Sequence, residues 1–341
     1  TKFSRPDFPL STGRFQQSVV KYANDKLSIQ VGRDDMLGNP LRPAIFNYPL
    51  FADGLGWDYK WHRWSFRHVY QVLPSESHAD QVYRRSVSYH HLSKSFKNLS
   101  FGAGEYFILA GDNLGLDFKR LNPFLPYSLN SHDSVADYYS GFSGDSDNSL
   151  IKLFLEWSKK STQVAINLYI DEFQIDGVDR DVLSDAMLLS FSAVNEIMAL
   201  GQNNLLKWGF SLANPNFGQH PGPFTTTTIG AYPLFEYSPG MKNLVYFDAT
   251  LFTDKLYQLS FSGYSEKWVK ISQLSPDRMN HRVELDNLDV YSDYRLSVGT
   301  TYKLQQFPVK LGIIAWLGSE EEHSSGVSLY FLYDAKRLLT P

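Results

Sequence analysis

A chain of 341 residues that is 43% hydrophobic, has a negative mean hydropathy and contains no cysteine is excluded from several classes at once. No apolar run approaches the ~18 to 20 residues that a membrane helix needs, and without thiols there is neither a disulfide scaffold nor thiolate chemistry. The formal net charge of −4 speaks against a nucleic-acid partner.

Aromatic residues, by contrast, are in excess: 24 Phe, 21 Tyr and 7 Trp exceed what a core alone requires, and transmembrane barrels place such residues in girdles at both interfaces. The opening Thr1-Lys2-Phe3-Ser4 does not read as a signal peptide, so the chain is expected to be mature or to start inside a precursor. Strands are predicted at 14–22 and 26–33, joined by Ala23-Asn24-Asp25 as a hairpin turn. A second hairpin pairs 55–62 with 64–73, where Trp64, Phe66, His68, Tyr70 and Val72 share one parity. A third pairs 81–94 with 98–110.

From 111 to 148 the rhythm breaks, with Asn122-Pro123-Phe124-Leu125-Pro126 followed by an acidic run. A connection of this length is expected to be an extracellular loop or a segment folded into a lumen. Alternation returns with Ile151, Leu153, Leu155 and Trp157, then Val164, Ile166, Leu168 and Ile170, around the turn Lys159-Lys160-Ser161. Over 181–200 the apolar positions Leu183, Met187, Leu188, Phe191, Val194, Ile197 and Met198 fit three–four spacing. With Asp181 or Ser184 as cap, this predicts a helix at the barrel mouth or in the lumen, over a strand pair. A strand at 205–213, a second irregular loop at 214–240, and strands at 244–251, 256–263 and 267–274 follow.

The clearest alternation closes the chain. Tyr294, Leu296, Val298, Thr300, Tyr302 and Leu304 fall on one parity, with Arg295, Ser297, Gly299, Thr301 and Lys303 on the other. Val309 to Leu317 and Val327 to Tyr333 repeat it. One face of each strand is apolar, the other is small and mildly polar, and lengths of about ten residues suffice to cross a tilted bilayer. The fold class is therefore all-β: one transmembrane antiparallel β-barrel over residues 1–341, of about 16–18 strands, with a loop or short helix plugging its lumen.

Several motifs in order resemble the Wzi-type capsule-assembly outer-membrane barrels, including their divergent relatives. They are Val31-Gly32-Arg33-Asp34-Asp35, Leu121-Asn122-Pro123-Phe124, Asp147-Asn148-Ser149-Leu150, Tyr169-Ile170-Asp171-Glu172-Phe173-Gln174, and Tyr232-Pro233-Leu234 with Pro239-Gly240. The resemblance implies an integral protein of the bacterial outer membrane that binds or anchors capsular-type polysaccharide at the cell surface without catalysis. The alternatives are a barrel subunit of a larger outer-membrane assembly or a porin-like channel without glycan binding, and, more distantly, a soluble carbohydrate-active enzyme.

Among candidate sites, Asp171 and Glu172 invite an acid–base reading, but neighbours on a strand face opposite sides and cannot flank one bond. Asp171 shares the lumen parity with Asn167 and Tyr169. Lumen-lining charge is expected from Arg33, Asp34, Asp35, Arg84 and Asp171, with Arg63, Arg67 and Arg85 extending a basic ladder towards Asp34, Asp35 and Asp58. Asp133, Asp137, Tyr138 and Tyr139, with Trp57 and Trp61, set acids beside aromatic platforms. They suit sugar stacking or, equally, an interface girdle. The adjacent His90 and His91 split across a strand, so no metal is expected, nor any cofactor. The expected partners are outer-membrane lipid and lipopolysaccharide, surface polysaccharide and other outer-membrane proteins.

Overall fold

A computed structural model describes residues 18–37, 52–78, 81–111, 146–171, 186–199, 202–214, 217, 228–229, 232–233, 241–252, 257–269, 290–303, 309–318 and 325–333. The strands are β1 (Ser18–Ala23), β2 (Leu27–Asp34), β3 (Ala52–Trp61), β4 (Trp64–His78), β5 (Gln81–Phe96), β6 (Leu99–Gly111), β7 (Ser146–Lys159), β8 (Thr162–Asp171), β9 (Ala186–Ala199) and β10 (Gln202–Ala213). A two-residue pair follows, β11 (Thr228–Ile229) with β12 (Tyr232–Pro233). Then come β13 (Met241–Phe252), β14 (Tyr257–Val269), β15 (Val290–Lys303), β16 (Val309–Gly318) and β17 (Ser325–Tyr333). Among the described residues, all but β11 and β12 join one 15-stranded antiparallel meander in chain order.

Tight turns build the hairpins. At Asn24 the side-chain Oδ1 accepts from the backbone N–H of Lys26 and Leu27, at 2.9 and 2.8 Å, closing β1 onto β2. His62, Lys97 and Lys160 take positive φ of 55°, 52° and 52° to turn β3 into β4, β5 into β6 and β7 into β8. These short turns lie at one end of the sheet, and the strand ends that flank 35–51, 112–145, 172–185, 214–240 and 270–289 lie at the other. Outer-membrane barrels put short turns on the periplasmic side and long loops outside.

The sheet is inverted relative to a soluble protein. On one face the register lines up Leu92, Ala103, Leu153, Leu168, Leu189 and Leu212 across six strands. Leu92, Leu153, Leu189 and Leu212 are all exposed. On the other face Lys152, Asn167, Ser190 and Ser211 are buried. Apolar side chains face outward because hydrocarbon is their solvent, and polar ones face inward. Near the short turns the outward face carries Tyr22, Tyr59, Trp61, Trp64, Phe96 and Trp157, all exposed, as an interface girdle does.

At the long-connection end the interior is filled. Val69 and Leu73 of β4, Tyr89 of β5, Tyr106 and Ile108 of β6, Tyr169 of β8, Leu188 of β9, and Leu244 and Tyr246 of β13 form one buried cluster with Met36 and Phe217. Strands far apart in the meander meet in that cluster, which requires the sheet to curl around an interior. Met36 and Phe217 lie between strands, so this part of the plug is loop.

The expected helix at 181–200 is corrected by β9, which runs from Ala186 to Ala199 between β8 and β10. Its inward residues Ala186 and Leu188 are as apolar as outward Met187 and Leu189, and an apolar residue on both faces hides the period of two. Likewise the two strands expected at 256–263 and 267–274 are one, β14, continuous through Gly263 to Val269.

One outward row on β4 to β6 is polar. His68 faces His90, which faces Glu105, with His90 Nε2 3.5 Å from a Glu105 carboxylate oxygen. His68 is fully buried, and neither ring nitrogen has a hydrogen-bond partner among the described residues. Replacing an unpaired buried polar group by an apolar one of similar size removes a cost of ~1–3 kcal/mol, whereas removing one member of a pair incurs it. His68→Leu is therefore expected to hold or raise the temperature at which the compact unboiled gel band converts to the unfolded one. His90→Leu is expected to lower that temperature by stripping a partner from Glu105.

Candidate functional site

The interior wall is read from the strand register, because opposed residues of antiparallel neighbours share a face. Asp58, Arg67, His91, Gly104, Lys152 and Tyr169 stand opposite one another in sequence from β3 to β8. One row nearer the short turns lie Ser93, Gly102, Phe154, Asn167, Ser190 and Ser211. Further round the wall come Tyr246, Tyr264 and Arg295.

Within the first row, Arg67 Nε lies 3.7 Å from Asp58 Oδ1, with both side chains about one-third exposed. Lys152 Nζ stands 5.2 Å from the centroid of Phe154 and 5.4 Å from that of Tyr169, over both rings. His91 meets the same Phe154 at 5.3 Å between centroids, edge to face. Tyr89 stacks on Tyr106 at 4.1 Å, and its hydroxyl lies 2.8 Å from His91 Nδ1. On β6 this row has no side chain. A Cβ at Gly104 would come within 2.7 Å of the His90 carbonyl oxygen and of the His91 Cβ, so only glycine fits.

The loop residues in the interior are tied to the wall. Arg67 Nη2 donates to the Met36 carbonyl at 2.5 Å. Gln71 Nε2 donates to the carbonyls of Asp34 and Ala52, at 2.8 and 3.2 Å, holding together the two ends of the 35–51 connection. Phe217 meets the Tyr169 ring edge-on at 6.4 Å. Its backbone N–H donates to Asn214, whose own N–H donates to the Met187 carbonyl, both at 2.9 Å.

The residues singled out in the sequence fall as follows. Asp171 is inward and buried, and Asp34 is inward with Lys21 Nζ at 2.9 Å from its carboxylate. Asp35 follows the end of β2, its N–H donating to Asp34 Oδ1 at 3.0 Å. Arg33 and Arg84 stand instead on the outward parity. Arg33 makes a bidentate pair with Asp53 at 3.0 and 2.5 Å, and it is the next residue, Arg85, that is inward and buried. Arg63 sits in the β3–β4 turn over Phe96, away from Arg67. Trp57 and Trp61 are on the outward parity, Trp57 tilted onto Phe66 and Trp61 beside Trp64. Asp133, Asp137, Tyr138 and Tyr139 lie outside the described residues, as does Glu172. His91 was weighed in the sequence only as a metal ligand, and Lys152, Met36 and Phe217 were not picked out as site residues. A signal for Lys152 was present, because a lysine inside Leu150-Ile151-Lys152-Leu153-Phe154-Leu155 is tolerable only where it faces away from lipid.

No family model matches this chain, and no curated protein matches it. Its fold is similar to that of Pseudomonas aeruginosa OccD3 (OpdP), with a TM-score of 0.50 and 10% identity, over 94% of this chain and 78% of that one. Weaker likenesses are to the Pseudomonas putida toluene transporter TodX (TM-score 0.28, 12% identity, 94% of this chain, 78% of that one) and the CymD monoaromatic hydrocarbon channel (0.28, 14%, 85% and 75%). The fold is thus that of the outer-membrane β-barrel proteins.

Proposed function

We propose that this chain is a porin-like channel of the bacterial outer membrane, passing small solutes through its lumen without covalent chemistry. The observation that supports it is the inverted wall: a leucine row faces out, while the inward parity carries Arg67, His91, Lys152, Asn167, Ser190 and Arg295. A hydrated path requires such a wall along the interior. Likeness in fold to OccD3 supports the same reading. The cluster of Met36 and Phe217 against the wall tyrosines narrows the path at the long-connection end.

Binding of capsular-type polysaccharide, which the Wzi-type resemblance implies, would rest on Trp57, Trp61, Asp133, Asp137, Tyr138 and Tyr139 and would leave the lumen without a transport role. Reconstitution into planar bilayers separates the two. Stepwise single-channel currents are expected for the purified barrel. Silent bilayers together with a polysaccharide-induced rise in melting temperature would reverse the choice in favour of the anchor, with lipopolysaccharide and neighbouring outer-membrane proteins as its surroundings.

A further inference from the structure

We propose that the membrane-facing rim at the short-turn end of β4 to β7 binds the headgroup of an anionic phospholipid. The inference concerns the outer wall, so it goes beyond the channel reading and holds whether or not the lumen conducts. Three neighbouring short turns, over 61–64, 94–99 and 157–162, carry Arg63, Lys94, Lys97, Lys159 and Lys160 and neither Asp nor Glu. The turns lie side by side: the Ser95 N–H donates to the Arg63 carbonyl and the Ser158 N–H to the Asn98 carbonyl, both at 2.8 Å. Among the described residues none of these five cations is ion-paired to a carboxylate. Of the acids at this end, Asp58, Glu156 and Glu196 stand on the inward parity, and Asp25 belongs to the β1–β2 turn.

Lys94 is on the outward parity of β5, opposite Trp64 of β4 and Phe101 of β6. Its Nζ stands 4.8 Å from the Trp64 ring centroid and 5.1 Å from that of Phe96. The Arg63 Cζ stands 5.7 Å from the same Phe96 ring, which stacks on Phe101 at 5.8 Å with the planes 8° apart. Two cations are thus held over exposed rings, at the depth where Trp61, Trp64 and Trp157 mark the lipid interface. Hydrocarbon offers these charges no partner. The phosphate of a phospholipid is the group at that depth that pairs with an ammonium and a guanidinium, and the rings lie against its glycerol and upper acyl segments. A zwitterionic headgroup brings its own cation, so retention follows the net negative charge of the lipid. Short turns face the periplasm, which makes the occupant a phospholipid of the inner leaflet rather than lipopolysaccharide.

Native mass spectrometry of the full chain reads which lipid stays on the barrel after release from detergent micelles carrying equal amounts of phosphatidylglycerol and phosphatidylcholine. Retention of phosphatidylglycerol about fivefold above phosphatidylcholine is expected, the effect of a basic side chain on an anionic headgroup. Arg63→Gln combined with Lys94→Gln should bring the ratio down to about one, whereas Arg63→Lys combined with Lys94→Arg should keep it. Each variant is first checked for the compact unboiled gel band. If the double glutamine variant fails that check, Lys94→Gln alone is read against the parent, with a fall of about twofold expected. Millimolar inorganic phosphate should not displace the lipid, and retention of lipopolysaccharide should be the same in the parent and the double glutamine variant. Equal retention of the two phospholipids, an unchanged ratio in a folded glutamine variant, displacement by free phosphate, or loss of lipopolysaccharide in the double glutamine variant would each overturn the proposal.

Discussion

Arginine in place of Leu153 is expected to cost about 2–4 kcal/mol of folding free energy in lipid, the usual penalty for a basic side chain at mid-depth on a barrel's outer face. Leu153 is outward and 42% exposed, central in the row from Leu92 to Leu212, with Leu155 and Trp157 between it and the short-turn interface. An arginine there has too far to reach for the headgroups, so it draws water into the hydrocarbon or drives the strand out of register. On the next strand, Gln163→Arg sits on the inward parity opposite Ser158 and Val194, in water, and should fall within ~0.5 kcal/mol of the parent. Urea unfolding of both variants in lipid vesicles, followed by tryptophan fluorescence, measures the contrast. Similar losses for the two would mean that the 42% exposure of Leu153 does not face hydrocarbon, and the inside–outside assignment would fall with it.

That assignment also explains which parts of the molecule were legible in the sequence. The strands of the last third announce themselves because one parity is bulky and the other small, and β15, β16 and β17 run close to their expected bounds. β9 was hidden because its inward residues at the long-connection end are apolar too, filling the interior against Tyr169 and Phe217 rather than lining water. Its three–four spacing is the overlap of two apolar faces. β14 was divided at Tyr264-Ser265-Glu266, where the outward residue is a serine and the inward one a buried glutamate paired in register with Asp293.

The charged sites show a different limit. Arg33-Asp34 and Arg84-Arg85 are adjacent charges, and a period of two sends one member of each pair to either face. Which member faces in depends on the phase of the strand, which the apolar neighbours of β2 and β5 only partly set. Val31 and Leu92 fix it once the register is known: Arg33 and Arg84 share their parity with these outward residues. The row of Arg67, His91 and Lys152 is a more distant case. Its members lie 24 and 61 positions apart in the chain and are brought together by pairings that no local pattern encodes.

Phe217→Ala is expected to raise single-channel conductance while lowering stability by ~3–5 kcal/mol, the usual cost of truncating a buried phenylalanine. Phe217 is 1% exposed, and its ring fills the interior against Tyr169 from a segment that is not part of the wall. The hydrogen bonds through Asn214 to the Met187 carbonyl use backbone atoms and survive the substitution, so the segment stays anchored while its bulk is withdrawn. Met36 enters from the other side of the cluster, held through its carbonyl by Arg67, and adding Met36→Ala should widen the path further. The two effects have different physical origins. Stability falls because apolar contacts are lost, whereas on the proposed channel reading conductance rises because the lost volume lies on the path. Leu188→Ala, a wall residue of the same cluster, therefore serves as the comparison: it should destabilise by ~2–5 kcal/mol with a smaller gain in current. Lower melting temperatures for both variants with currents equal to the parent would place the narrowest point of the path elsewhere in the barrel.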